Sequence, residues 1–152
     1  MMLTRPVGSV ASSSPERTGT MTRFVVDSSA VLHLADEGTT VRSKHDLLAP
    51  TLLRSQTLSL MHEAVRRGKI PADVARDRLE YIWAMKIRLL GDAVLRRRAW
   101  EVADRLGWDS TYNAEYIALT ELQADAFVTT DTKLARSVEG IVATASIDAL
   151  RR

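Results

Sequence analysis

Phe24-Val25-Val26-Asp27-Ser28-Ser29-Ala30-Val31-Leu32 decides the fold. An apolar, β-branched run ends on one aspartate, and small hydroxyl residues then open an apolar-periodic segment. That order reads as a buried strand over roughly 23–27, followed at once by a helix over roughly 28–36. In open α/β sheets, ligands collect at the carboxyl ends of the strands. The same logic recurs at Ala126-Phe127-Val128-Thr129-Thr130-Asp131. Two strand-end aspartates about a hundred residues apart point to one acidic metal pocket built from both halves of a single domain.

Between these stretches, strands and helices alternate. Asp46-Leu47-Leu48-Ala49 reads as a short second strand, and Pro50 opens a helix carried by Leu52, Leu53, Gln56, Leu60 and Val65 to Gly68. Pro71 opens another helix that should run to about Leu90 and stop at Gly91. Asp92 caps the next, which ends at Gly107, and Asp109 or Ser110 caps the one through about Gln123. A strand at Phe127–Thr130, a short helix after Asp131 and a last strand near Ile141–Ala145 complete the pattern. Such alternation implies a parallel sheet sandwiched by helices.

The chain has 152 residues, 45% of them hydrophobic, which suits one domain with a real core. It has no cysteine, which excludes disulfides and thiolate metal sites and fits a reducing cytoplasm. No apolar run approaches the ~18 residues of a membrane span. Residues 1–20 are small, polar and aperiodic around Val7–Pro15, so they read as a disordered N-terminal extension. Met21 then reads as the working start of a single domain over 21–152. The net charge of +2 says little, but its distribution is uneven. From Arg66 to Arg105 there are eleven Lys/Arg against six Asp/Glu, a local excess of +5, which leaves −3 elsewhere. A basic helical middle beside an acidic site suits a phosphate-backbone partner. Solvated helix faces account for the same charges equally well.

Asp27 is the strongest candidate for chemistry. A carboxylate closing a buried strand needs a compensating partner, and a divalent cation supplies one; a helix N-cap is the structural alternative. Asp131 repeats the case, with Thr129 two residues earlier on the same strand face. Mg²⁺ takes oxygen ligands and retains waters. Held by clustered carboxylates, the cation lowers the pKa of its bound water and orients attack on phosphorus. His33, His45 and His62 lack ligand-like spacing and read as structural. Trp83, Trp100 and Trp108 read as core or dimer-interface packing. Ser28 and Ser29 have no evident histidine base, so nucleophilic catalysis is not supported.

Asp27 with Ser28 and Ser29, the Ala49-Pro50 helix start, Tyr112-Asn113-Ala114-Glu115-Tyr116-Ile117-Ala118-Leu119, and Val128-Thr129-Thr130-Asp131-Thr132-Lys133-Leu134-Ala135 together resemble a PIN domain. The likeness is greatest to the VapC-type toxins of toxin–antitoxin pairs and runs from about Thr22 to the C-terminus. It implies a three-layer α/β/α fold. It also implies a Mg²⁺- or Mn²⁺-dependent ribonuclease, usually a homodimer, held inactive by a cognate antitoxin. Asp27 and Asp131 would hold the metal, supported by Ser29 and Thr129.

Two positions depart from the pattern. The family places a glutamate where this chain has Gln56, and an aspartate where it has Asn113. Amides offer a carbonyl oxygen but no charge. The expected catalytic set is thus Asp27, Asp131, Asn113 and Gln56. Asp109, four residues before Asn113, would share its helix face and is the substitute ligand considered, with an N-cap role as its alternative. Glu115 should point about 200° away, and Glu63 lies about 10 Å further along its helix, where an outer-shell or a salt-bridge role is expected. The leading expectation is a metal-dependent endoribonuclease that cleaves RNA by a metal-activated water. The alternative is a PIN relative that binds RNA or an antitoxin without cleavage, and a weaker third is another metal-dependent phosphohydrolase or a plain α/β binding module.

Overall fold

The computed structural model describes residues 21–42 and 44–151. Strand β1 spans Thr22–Val26 and is followed by α1 at Ser28–Glu37. Phe24, Val25 and Val26 are all buried, as a strand covered on both faces requires. Strand β2 (His45–Pro50) leads into a helical pair, α2 (Leu52–Arg66) and α3 (Ala72–Ala84). Strand β3 (Ile87–Leu90) precedes α4 (Ala93–Leu106) and α5 (Tyr112–Gln123). Strand β4 (Ala126–Val128), α6 (Thr132–Ser137), β5 (Thr144–Ala145) and a 3₁₀ turn at Ile147–Arg151 close the chain. The expected extension over residues 1–20 lies outside the described residues.

The sheet is parallel throughout, in the order β3-β2-β1-β4-β5. Helices flank it in two groups. Helix α5 packs on β1, β2 and β4 and carries α4, while α1, α2 and α3 pack on one another and α2 on β2. The chain steps outward from β1 through β2 to β3, then returns to the other side of β1 as β4. The reversal makes the β1/β4 junction a topological switch point, where α/β sheets open a crevice. Register aligns Val26 with Val128, so the residues that follow each strand emerge side by side.

Caps set the helix ends largely as the sequence implies. Asp92 accepts from the Leu95 N–H at 2.9 Å, and Gly107 ends α4 in the left-handed region at φ 70°, where a Cβ would be strained. Helix α4 turns Leu95, Ala99, Val102 and Ala103 inward. A second, smaller cluster of Met61, Ala75 and Leu79 joins α2 to α3.

One element differs in kind from the sequence expectation. The helix from Pro71 does not reach Leu90; it ends at Ala84, Met85 turns to extended backbone, and Ile87–Leu90 pairs with β2 as an edge strand. Apolar residues continue through this stretch without a glycine or proline before Gly91, so only tertiary pairing distinguishes the strand. Smaller shifts occur elsewhere. The first strand ends at Val26 rather than Asp27, α2 ends at Arg66 rather than Gly68, and the last strand is only Thr144–Ala145. The N-cap of α5 is Thr111, without a side-chain hydrogen bond, rather than Asp109 or Ser110.

Two tryptophans are not core. Trp83 and Trp100 are 54% and 67% exposed, whereas Trp108 packs partly buried against the main core. His33 pairs with Glu37 at 3.1 Å, and His45 sits edge-on to Phe24, both structural roles.

Candidate functional site

Asp27 leaves β1 buried, with 6% of its surface exposed, and caps α1. Its Oδ1 accepts from the Ser29 hydroxyl at 2.6 Å and the Ala30 N–H at 3.0 Å. Its Oδ2 accepts from the Thr129 hydroxyl, across the switch point, at 2.6 Å. The Ser29 and Thr129 hydroxyls lie 3.1 Å apart, and the Thr130 N–H donates to Ser29 Oγ at 3.0 Å. This network stitches β1 to β4. Burial pushes the Asp27 carboxyl above its ordinary value, and the Asp131 charge adds to that; the three donors oppose it without reversing the direction.

Asp131 is exposed and caps α6, accepting from the N–H groups of Lys133 and Leu134. The Asp131 N–H in turn donates to Thr129 Oγ1 at 3.1 Å. Both aspartates are therefore N-caps as well as members of one electrostatic site.

Gln56, Asp109, Asn113 and Asp131 line a single open cleft of about 750 Å³, together with Lys133 and the aromatic residues Trp108 and Tyr112. The structure thus brings Gln56, Asp109, Asn113 and Asp131 into one cleft lining, whereas Asp27, Ser29 and Thr129 are not part of that lining. Asp109 arrives by a different route from the one expected: it is not helical but sits in the turn before α5. Glu115 lies outside this cleft lining and is half-buried; burial pushes its carboxyl above the ordinary value, with the Arg96 charge opposing. Glu63 accepts from Ser59 and pairs with Arg67 at the end of α2, which is the salt-bridge alternative.

Tyr116 was not singled out as a site residue by the sequence reading. Its hydroxyl donates to Gln56 Oε1 at 2.5 Å. Burial, reinforced by the Asp27 and Glu115 charges, drives the phenol's pKa far upward, so it stays a donor. One acceptor site of the Gln56 carbonyl is thereby engaged, while the amide nitrogen keeps its donors. The only sequence signal was the position of Tyr116 one helical turn after Asn113.

Among the described residues, no group of three or more His, Cys, Asp or Glu side chains is placed to hold a metal ion. Asp27 is already held by three donors, Gln56 by a phenol, and Asn113 is neutral. The residues present do not fit the four-acid cation site that the resemblance implies.

The basic middle segment is partly consumed by structure. Arg67 pairs with Glu63, Arg78 with Asp36 and Arg88 with Asp46. Arg98 and Arg105 pair with Glu121. Exposed pairs of this kind contribute little stability, but they diminish the free positive field. No described helix is long and apolar enough to cross a membrane.

Solved structures share this fold. PAE2754 from Pyrobaculum aerophilum superposes with a TM-score of 0.65 at 22% identity, over 86% of this chain and 95% of that one. VapBC2 from Rickettsia felis, bound to a DNA fragment from its promoter, gives a TM-score of 0.57 at 8% identity, over 82% of this chain and 98% of the matched chain. No family model and no curated protein matches the sequence. The PIN-like, VapC-like resemblance read from the motifs thus holds in three dimensions, at the level of fold.

Proposed function

We propose that this chain is a VapC-like member of a toxin–antitoxin pair that engages RNA at the carboxyl edge of its sheet and binds it without efficient hydrolysis. The observation that carries this reading is the neutral pair, Gln56 and Asn113, in the same cleft as Asp131. Loss of two charges leaves a hard cation with too few anionic ligands, while the crevice and its aromatic rim remain. The expected partners are RNA, a cognate antitoxin protein and a second copy of the chain; the expected location is the cytoplasm. The VapBC2 neighbour supports the antitoxin partner through fold alone.

A second reading keeps catalysis: a Mg²⁺- or Mn²⁺-dependent endoribonuclease with a reduced acidic set. Its supporting observation is that Asp27 and Asp131 still share one electrostatic site. A single experiment separates the two. The protein and its Asp27→Asn variant are incubated with labelled RNA in Mg²⁺ or Mn²⁺, and both binding and cleavage are read. Binding by both proteins with no metal-dependent cleavage supports the first reading. Metal-dependent cleavage by the parent alone establishes the second. Absence of RNA binding in either protein overturns both.

A further inference from the structure

The cleft that holds Gln56 and Asn113 has a chemistry of its own. Its charged lining residues are Asp109, Asp131 and Lys133, a net charge of −1, with the buried Asp27 carboxyl nearby. A phosphodiester entering it meets two carboxylates. The neutral part of a nucleotide, its base, meets no such penalty. The remaining lining suits a base: Tyr112 stands 60% exposed on the rim, Trp108 is half-buried in the wall, and two amides offer directional hydrogen bonds. Splayed bases of single-stranded RNA are held in this way, by stacking on aromatic rings and by hydrogen bonds to their edges.

We infer that this cleft seats one unstacked nucleobase, with Tyr112 as the stacking platform and Asn113 as the residue that reads its edge, and that the base preferred is adenine. This rests on the RNA reading above and specifies what that site selects. An asparagine amide presents an acceptor and a donor together, which matches the N6 amine and N7 of adenine. Gln56 is the less free of the two amides, because its carbonyl already accepts from Tyr116. The carboxylates of Asp109 and Asp131 accept from an exocyclic amine and disfavour uracil, whose edge is rich in carbonyl oxygens. A carboxylate at position 113 would lack the donor for N7. The amide that weakens the cation site is therefore the group that gives the cleft base selectivity.

The test uses the full chain in EDTA with fluorescently labelled oligoadenylate, oligocytidylate, oligouridylate and oligoguanylate, read by anisotropy. Oligoadenylate should bind tightest. Tyr112→Ala should weaken it by about five- to a hundredfold, the range for loss of one base–aromatic stack. Tyr112→Phe, which keeps the ring, should bind within twofold of the parent. Asn113→Asp should reduce the preference for adenine while the melting temperature stays near that of the parent. Tyr112 is exposed, so its truncation leaves the core intact, and a melting curve verifies this. RNA binding that Tyr112→Ala leaves within twofold, or a parent that does not favour adenine, overturns this inference and leaves the RNA reading standing. A parent that binds none of the four oligonucleotides overturns the RNA reading and this inference with it.

Discussion

Returning the two absent charges is the most direct perturbation of this site. The variant carrying both Gln56→Glu and Asn113→Asp places carboxylates beside Asp131 in the same cleft, close to Asp27. The Tyr116 hydroxyl can donate to a carboxylate as well as to an amide, so the Gln56 contact survives the change. At about 4 Å in a water-like dielectric, one unit charge attracts a divalent cation by roughly 2 kcal/mol. Water is the appropriate limit because Asn113 is exposed and Gln56 half-buried. Two restored carboxylates then contribute about 4 kcal/mol, or roughly a thousandfold in Kd. Without metal the same charges repel, so the variant should melt below the parent.

The assay is a thermal melt across a Mn²⁺ titration with an EDTA baseline. Ligand at about a hundredfold above its Kd stabilises by about 2.7 kcal/mol. For a domain of this size that is a rise of roughly 8 °C. The double variant should show a rise of this order at Mn²⁺ concentrations where the parent barely moves. A folded double variant that responds to Mn²⁺ no more than the parent would refute the reasoning, because positions 27, 56, 113 and 131 would then not share one cation pocket.

Other consequences are simpler. Asp27 is an acid with a raised native pKa, so the folded state binds more protons than the unfolded state between the ordinary value of 3.8 and that raised value. Stability should therefore fall as pH rises through that window, then level off, and urea titrations should find this slope flattened in Asp27→Asn. Asp92→Ala removes the N-cap of α4 and should cost about 1 kcal/mol in a urea titration, with no change in RNA binding. Gly107→Ala forces a Cβ into the left-handed region and should cost roughly 1–2 kcal/mol by the same measurement. Phe127→Ala empties a fully buried site in the central sheet and should cost about 3–5 kcal/mol, enough to lower the melting point visibly.

The central strands were legible because burial on both faces writes itself as an unbroken apolar run. Phe24–Val26 and Ala126–Val128 could hardly be anything else. Edge strand β3 was not legible, because Ile87, Leu89 and Leu90 look like the tail of α3 until β2 is there to pair with them. Asp109 lines the cleft with Asn113 from the turn before α5, not from a shared helix face. Chain direction after Gly107 depends on its left-handed cap and on the turn that follows, not on helical periodicity. The outward-facing Trp83 and Trp100 defied a rule that is statistical: large aromatics are usually covered, and nothing local in the sequence marks an exception. The Tyr116–Gln56 bond joins residues sixty positions apart, and only the packing of α5 and α2 against one sheet makes it possible.

Asp27 and Asp131 are weaker arguments for catalysis than the neutral Gln56 and Asn113 are against it. Asp27 would be kept by structure alone: it caps α1, joins β1 to β4 through Thr129, and fills a buried position with three donors. Asp131 likewise caps α6 through two backbone N–H groups. Neither needs a cation to explain its place. Position 113 carries no comparable structural duty, since it is exposed in the first turn of α5, where a carboxylate would be favoured by the helix dipole. An amide there forgoes that stabilisation, but it escapes repulsion from Asp109 and Asp131 and offers a neutral base edge both a donor and an acceptor.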